Sequence, residues 1–157
     1  MLYIVYLVSI VLYFIWGISW NRMVNYVDSI TFEFVVLPCI LMLFCTRSFP
    51  AFGRGLLFAF GKRDHSLQQY QESLSSLKMV MLTSVIFGCV CFVIGTINSI
   101  CSLEWSSVDS IGWFCRDLAV AMISLFYPLV ICIILLPVYF SLKKYLTDEK
   151  TGVVRKD

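Results

Sequence analysis

The 157-residue chain is 60% hydrophobic and only 14% charged, with a formal net charge of +2. A soluble domain of this size carries about a quarter charged residues, so the apolar excess has to face lipid. The small net charge, with no basic cluster interleaved with aromatics, speaks against a nucleic-acid partner.

Four membrane-length apolar segments follow in chain order, at 2–19, 30–46, 79–101 and 118–142. As a helix, each is long enough to cross a hydrocarbon core of about 30 Å. The first lacks a basic n-region and a small-residue cleavage site, which predicts a retained helix in place of a signal peptide. Glu33 and Pro38 interrupt the second. Beyond it, Ser48 to Phe60 is apolar and aromatic but carries Arg54, a pattern that suits a short element lying along the interface. Ser66 and Gln69 then stand in capping-box spacing, and Leu67, Tyr70, Leu74 and Leu77 continue at helical spacing into the third segment. The expected fold is therefore all-α: a single-domain, four-helix integral membrane protein. Its third helix runs out into the cytoplasm after a short loop between helices two and three.

Orientation follows from the basic residues. Residues 47–78 hold Arg47, Arg54, Lys62, Arg63 and Lys78, and the tail holds Lys143, Lys144, Lys150, Arg155 and Lys156. The other two connections hold only Arg22 and Arg116, beside Asp28, Glu104, Asp109 and Asp117. The positive-inside rule places both termini and the 47–78 loop in the cytoplasm. Trp16, Trp20, Trp105 and Trp113 then form a belt at the outer interface. Cys39, Cys45, Cys89, Cys91 and Cys132 fall within the spans as packing residues. Cys101 and Cys115 border the outer loop, where an oxidising space would allow them to pair.

The third span carries a stripe of small residues, Ser84, Gly88, Cys91, Gly95 and Ser99, at steps of three and four, with Thr83, Thr96 and Asn98 nearby. The fourth carries a similar line through Asp117, Ala121, Ser124, Pro128 and Cys132. Small residues let helix backbones approach closely, so the two stripes are a helix-packing seam. The same residues would suit a polar conduction path, and spacing alone leaves both readings open.

With these motifs in view, the chain resembles the MotA/TolQ/ExbB proton-channel family. The resemblance rests on Asn25-Tyr-Val-Asp28-Ser29 with Ser48-Phe-Pro-Ala-Phe52, on Phe87-Gly88 and Val93-Ile-Gly95, and on Asp109-Ser-Ile-Gly112. It continues through Leu118-Ala-Val-Ala121, Ser124, Tyr127 and Pro137. The resemblance implies a homo-oligomeric assembly that conducts protons together with a partner: a pentameric ring in the bacterial inner membrane around a single-span MotB/ExbD-like protein that brings the titrating acid. Three departures mark a compact relative. No proline opens the third helix at Thr83-Ser-Val, the fourth-helix hydroxyl falls on the shorter Ser124, and the 47–78 loop is far smaller than a rotor-contacting domain.

No Asp, Glu, Lys, Arg or His occurs within 34–46, 79–100 or 118–142, so this chain holds no mid-membrane group able to carry a proton. Glu33, Arg116 and Asp117 lie near outer helix ends, where a mutual ion pair or hydration accounts for them. His65 sits in a polar turn, and no spacing of metal ligands, phosphate loop or nucleophile with its base is present, so no enzyme, cofactor or metal is expected. The resulting expectation is a ring-forming subunit of an ion-gradient-driven channel or motor, with Ser124, Thr96 and Asp117 as candidate path residues. A small membrane scaffold without ion flux is the alternative, while a carrier is disfavoured by the lack of inverted repeats and midplane polar groups.

Overall fold

The computed structural model describes residues 2–17, 29–60, 66–101 and 108–150. Their elements are all helices: α1 (Leu2–Gly17), α2 (Ser29–Cys45), α3 (Phe49–Ala59), α4 (Leu67–Cys101) and α5 (Val108–Lys150). At 1.5 Å per residue, α4 and α5 are about 50 Å and 65 Å long, well beyond a hydrocarbon core. Both are long and apolar enough to cross a membrane. Helices α2 and α3 reach that standard only as a pair, bent by 112°, and α1 is a shorter apolar helix. Where the sequence leads one to expect four crossings, two or three helices have the length for one.

The structure defines three boundaries, of which the start of α5 alone departs from the sequence reading. The stretch 48–60 forms a true helix, because Pro50 occupies its first turn, where a missing N–H costs nothing. Helix α4 starts at Leu67, and the Ser66 N–H donates to Gln69 Oε1 at 3.1 Å, half of a capping box. Helix α5 starts at Val108, so Asp109 to Gly112 are helical and not an outer loop. Only Gly112 opposes helix there. Asp28, His65, Trp20 and Trp105 lie outside the described residues.

Aromatic contacts gather one end of the bundle. Tyr3 of α1 meets Phe60 edge-on at 5.6 Å, and Phe58 of α3 meets Tyr70 of α4 at 5.2 Å and Tyr145 of α5 at 5.4 Å. This is also the end that carries Arg47, Arg54, Lys143 and Lys144. Large residues fill the adjoining core: Cys39 and Leu43 of α2, Leu77 and Val80 of α4, and Leu135, Val138 and Leu142 of α5. Helix α3 sits close on α4 because Gly55 faces Leu77 and Ser73, where an added Cβ would lie 3.1 Å from Leu77 Cδ1. The buried serines of α4 stay satisfied on their own helix: Ser73 bonds the Gln69 carbonyl and Ser76 that of Ser73.

Proline sets the attachment of α1. Pro137 lies inside α5 and supplies no N–H, so the carbonyl of Ile133 loses its helical partner. In lipid such a carbonyl needs another donor. The Tyr6 hydroxyl donates to it at 2.9 Å, and the Tyr3 hydroxyl donates to the next carbonyl, Ile134, at 3.2 Å. A helix too short to bury much surface is thereby fastened by two directed bonds. Tyr6→Phe is expected to lower stability by about 0.6–1.7 kcal/mol in reversible unfolding from mixed micelles. In a Pro137→Ala background that cost should shrink, since residue 137 then donates to Ile133 itself. An equal cost in both backgrounds would dissociate the tyrosine from the proline.

Candidate functional site

Toward the other end of α4 and α5 the large residues give way to the small-residue seam. Ser84 is fully buried, its hydroxyl donating to the Met81 carbonyl at 2.9 Å. One turn further on, Gly88 lies against the Pro128 ring. A Cβ at position 88 would sit 3.2 Å from Pro128 Cδ and 2.8 Å from the Ser124 carbonyl oxygen. That carbonyl is the one Pro128 deprives of its N–H partner. It therefore points at the second α-hydrogen of Gly88, a weak C–H···O contact that only glycine can offer in this place.

The Ser124 side chain works in the opposite direction. Its hydroxyl reaches the Gly88 carbonyl across the interface at 3.2 Å and the Ala121 carbonyl of its own helix at 2.6 Å. The side chain is 2% exposed. Beyond it, Gly95 faces Ala121, where an added Cβ would be 2.8 Å from the alanine methyl. Gly88, Gly95, Ala121, Ser124 and Pro128 thus meet across the contact between α4 and α5 of one chain.

At the far end of the seam a crevice of about 400 Å³ is lined by Thr31 of α2 with Cys91, Asn98, Ser99, Asp117 and Ser124, beside Gly95, Val120 and Ala121. Asp117 is exposed at its rim and is its one acidic lining residue. Ser124 lies at the buried part of the lining. Two of the three path candidates therefore share one space. Thr96 does not line it: the side chain is half-buried and its hydroxyl returns to the Phe92 carbonyl at 2.8 Å. Of the two readings for Arg116, Asp117 and Glu33, an ion pair or hydration, no ion pair forms among the described residues; Arg116 lies over the Trp113 ring, 5.4 Å from its centroid. Cys101 and Cys115 are free and exposed.

Thr31 and the crevice itself escape a reading of α4 and α5 alone, since Thr31 comes from α2, just before Glu33. Among the described residues, no group of three or more His, Cys, Asp or Glu could hold a metal ion. Outside the seam, Val85, Ile86, Val90, Val93, Ile94 and Ile97 expose one apolar side of α4, and Met122, Leu129 and Phe140 one side of α5. These features define an all-helical protein with membrane-type apolar helices. Compared with family models, curated proteins and solved structures, the chain matches none.

The seam makes a sharp contrast between glycines. Gly88→Ala should cost about 1–3 kcal/mol by overpacking against Pro128 and the Ser124 carbonyl. Gly53 and Gly112 have open space where a Cβ would go, so alanine there should be neutral or gain up to about 1 kcal/mol of helix propensity. Thermal unfolding of the three variants in the same detergent measures the difference.

Proposed function

We propose that this chain is a ring-forming subunit of an ion-gradient-driven channel or motor complex, with protons as the working ion. A single-span partner brings the titrating acid to the ring. Both termini and the 47–78 segment face the cytoplasm of a bacterial inner membrane, and five copies encircle the partner. The observation that carries the reading is the crevice of mixed polar and apolar lining that runs from exposed Asp117 down to Ser124, where α5 holds no Asp, Glu, Lys, Arg or His from 118 to 142. Water admitted by Asp117, Asn98 and Thr31 has somewhere to go, yet meets no group of this chain that could take a proton onward. A path that stops there requires an acid from another molecule. The placing of Arg47, Arg54, Lys143 and Lys144 at one end of the bundle supports the orientation.

In this arrangement the α4–α5 pair is a stiff wall, and the exposed apolar sides of α4 and α5 supply the surfaces that meet neighbouring copies and the partner. Asp117 collects cations at the mouth, and Ser124 is the innermost hydroxyl of the wet part. The contrary reading, a scaffold without ion flux, draws on the same serine. Its hydroxyl is already committed to the Gly88 and Ala121 carbonyls, as a purely structural residue would be.

Purification in mild detergent separates these readings. The channel reading expects a multi-copy assembly that keeps a single-span companion, and proton uptake by liposomes that hold both. Asp117→Asn should then slow uptake severalfold while leaving the assembly intact, because only the mouth charge is lost. A stable monomer with no companion, or no proton uptake by liposomes that hold both proteins, would leave the scaffold; uptake indifferent to both Asp117→Asn and Ser124→Val would overturn the crevice as the path.

A further inference from the structure

A second polar space lies at the opposite end of the molecule, away from the crevice, at the elbow where α2 turns into α3. It has a volume of about 500 Å³ and is lined by Thr46, Arg47, Ser48, Arg54, Glu72, Ser75 and Ser76, with Pro50 and Ala51. Nothing in the proposed ion path uses it. We propose that this elbow binds the phosphate of an anionic membrane phospholipid.

The charge balance of the space is one argument. Arg47 and Arg54 face a single carboxylate, Glu72, so the lining keeps one positive charge in excess. Arg54 Nη2 holds Glu72 Oε2 at 3.0 Å, but Arg54 Nε is buried with no hydrogen-bond partner. A guanidinium presents its donors as a fork, and an orphaned buried donor is costly unless an acceptor is supplied. A phosphate oxygen is such an acceptor, and it would add a charge-assisted bond.

The backbone of the turn points the same way. Arg47 adopts the left-handed conformation at φ 52°, which turns the chain sharply between the two helices. Ser48, the residue preceding α3, caps none of its N–H groups with its side chain, and its hydroxyl donates instead to the Thr46 carbonyl at 3.2 Å. The first-turn amides of α3 therefore add partial positive charge beside the two arginines.

The setting selects a lipid as the source of the phosphate. The elbow stands where the apolar α2 ends and α3 leaves it at 112°, at the end of the bundle that carries the basic residues. Phe44 and Phe49, immediately on either side, are 73% and 44% exposed. Exposed aromatics next to a basic hydroxyl-lined space are what a headgroup with its acyl chains alongside requires.

The full-length protein, stripped of lipid in mild detergent and incubated with phosphatidylglycerol or phosphatidylcholine, can be read by native mass spectrometry. The proposal expects preferential retention of phosphatidylglycerol. Arg47→Asn, which removes the charge but tolerates the left-handed turn, should reduce retention about tenfold, and Arg54→Gln should do the same. Glu72→Gln removes the competing carboxylate and should increase retention. Millimolar inorganic phosphate should leave the lipid in place. Unchanged retention in Arg47→Asn together with no gain in Glu72→Gln would overturn the site, whether or not Arg54→Gln folds. Displacement by inorganic phosphate would overturn the lipid as its occupant. Neither result depends on ion flux, so the site and the channel reading fail separately.

Discussion

The close approach of α4 to α5 at Gly88 and Pro128 is the constraint on which the rest of the structure depends. In lipid, two apolar helices gain nothing by hiding carbon from water, so they associate through contact and through hydrogen bonds that lipid cannot provide. Here both are concentrated in one turn. Pro128 frees the Ser124 carbonyl, Gly88 leaves the room for it, and the Ser124 hydroxyl bonds back to the Gly88 carbonyl at 3.2 Å. Neither helix could shift along the other without stranding one of those groups. The large-residue core at one end and the crevice at the other are both consequences, since the seam sets where the helices touch and where they diverge.

Proline has the same use twice. Pro128 and Pro137 each leave a carbonyl short of a donor, and each orphan is matched to a different partner: a neighbouring glycine in the first case, the Tyr6 hydroxyl in the second. In water a broken helical bond is repaired by solvent; in a membrane it becomes an attachment point. The short α1 is held in this way, by Tyr3 and Tyr6 on consecutive carbonyls of α5. The elbow between α2 and α3 adds a third departure from plain helix, and there the unmatched group is the Arg54 Nε.

Much of this was legible in the sequence because hydropathy and helical period are local signals. The all-helical character follows from the apolar runs, and the continuity of α4 into the third span follows from Leu67, Tyr70, Leu74 and Leu77 after the Ser66–Gln69 pair. The period of small residues from Ser84 to Ser99 is equally visible. What period does not carry is the identity of the neighbour. Nothing in the spacing says that Gly88 meets Pro128, that Ser124 is turned onto a backbone carbonyl, or that Thr31 of α2 joins Asp117 across the crevice. Helix ends were also hidden. Asp109 to Gly112 resemble the family's outer loop, although one glycine is too weak a breaker to stop α5. Arg116 shows a further limit: spacing could not choose between an ion pair and hydration, nor show that the guanidinium lies over the Trp113 face.

The central claim is that the small-residue seam joins two helices of the same chain. A cysteine pair at Gly95→Cys and Ala121→Cys tests it directly, in a background whose seven native cysteines are replaced. An added Cβ at 95 would fall 2.8 Å from that of Ala121, so oxidation should close a disulfide within one polypeptide after slight relaxation. The account predicts a monomer of altered mobility on a non-reducing gel, with free thiols lost in proportion. Cross-linked dimers in place of that monomer would show the seam to lie between copies, and the account would fail.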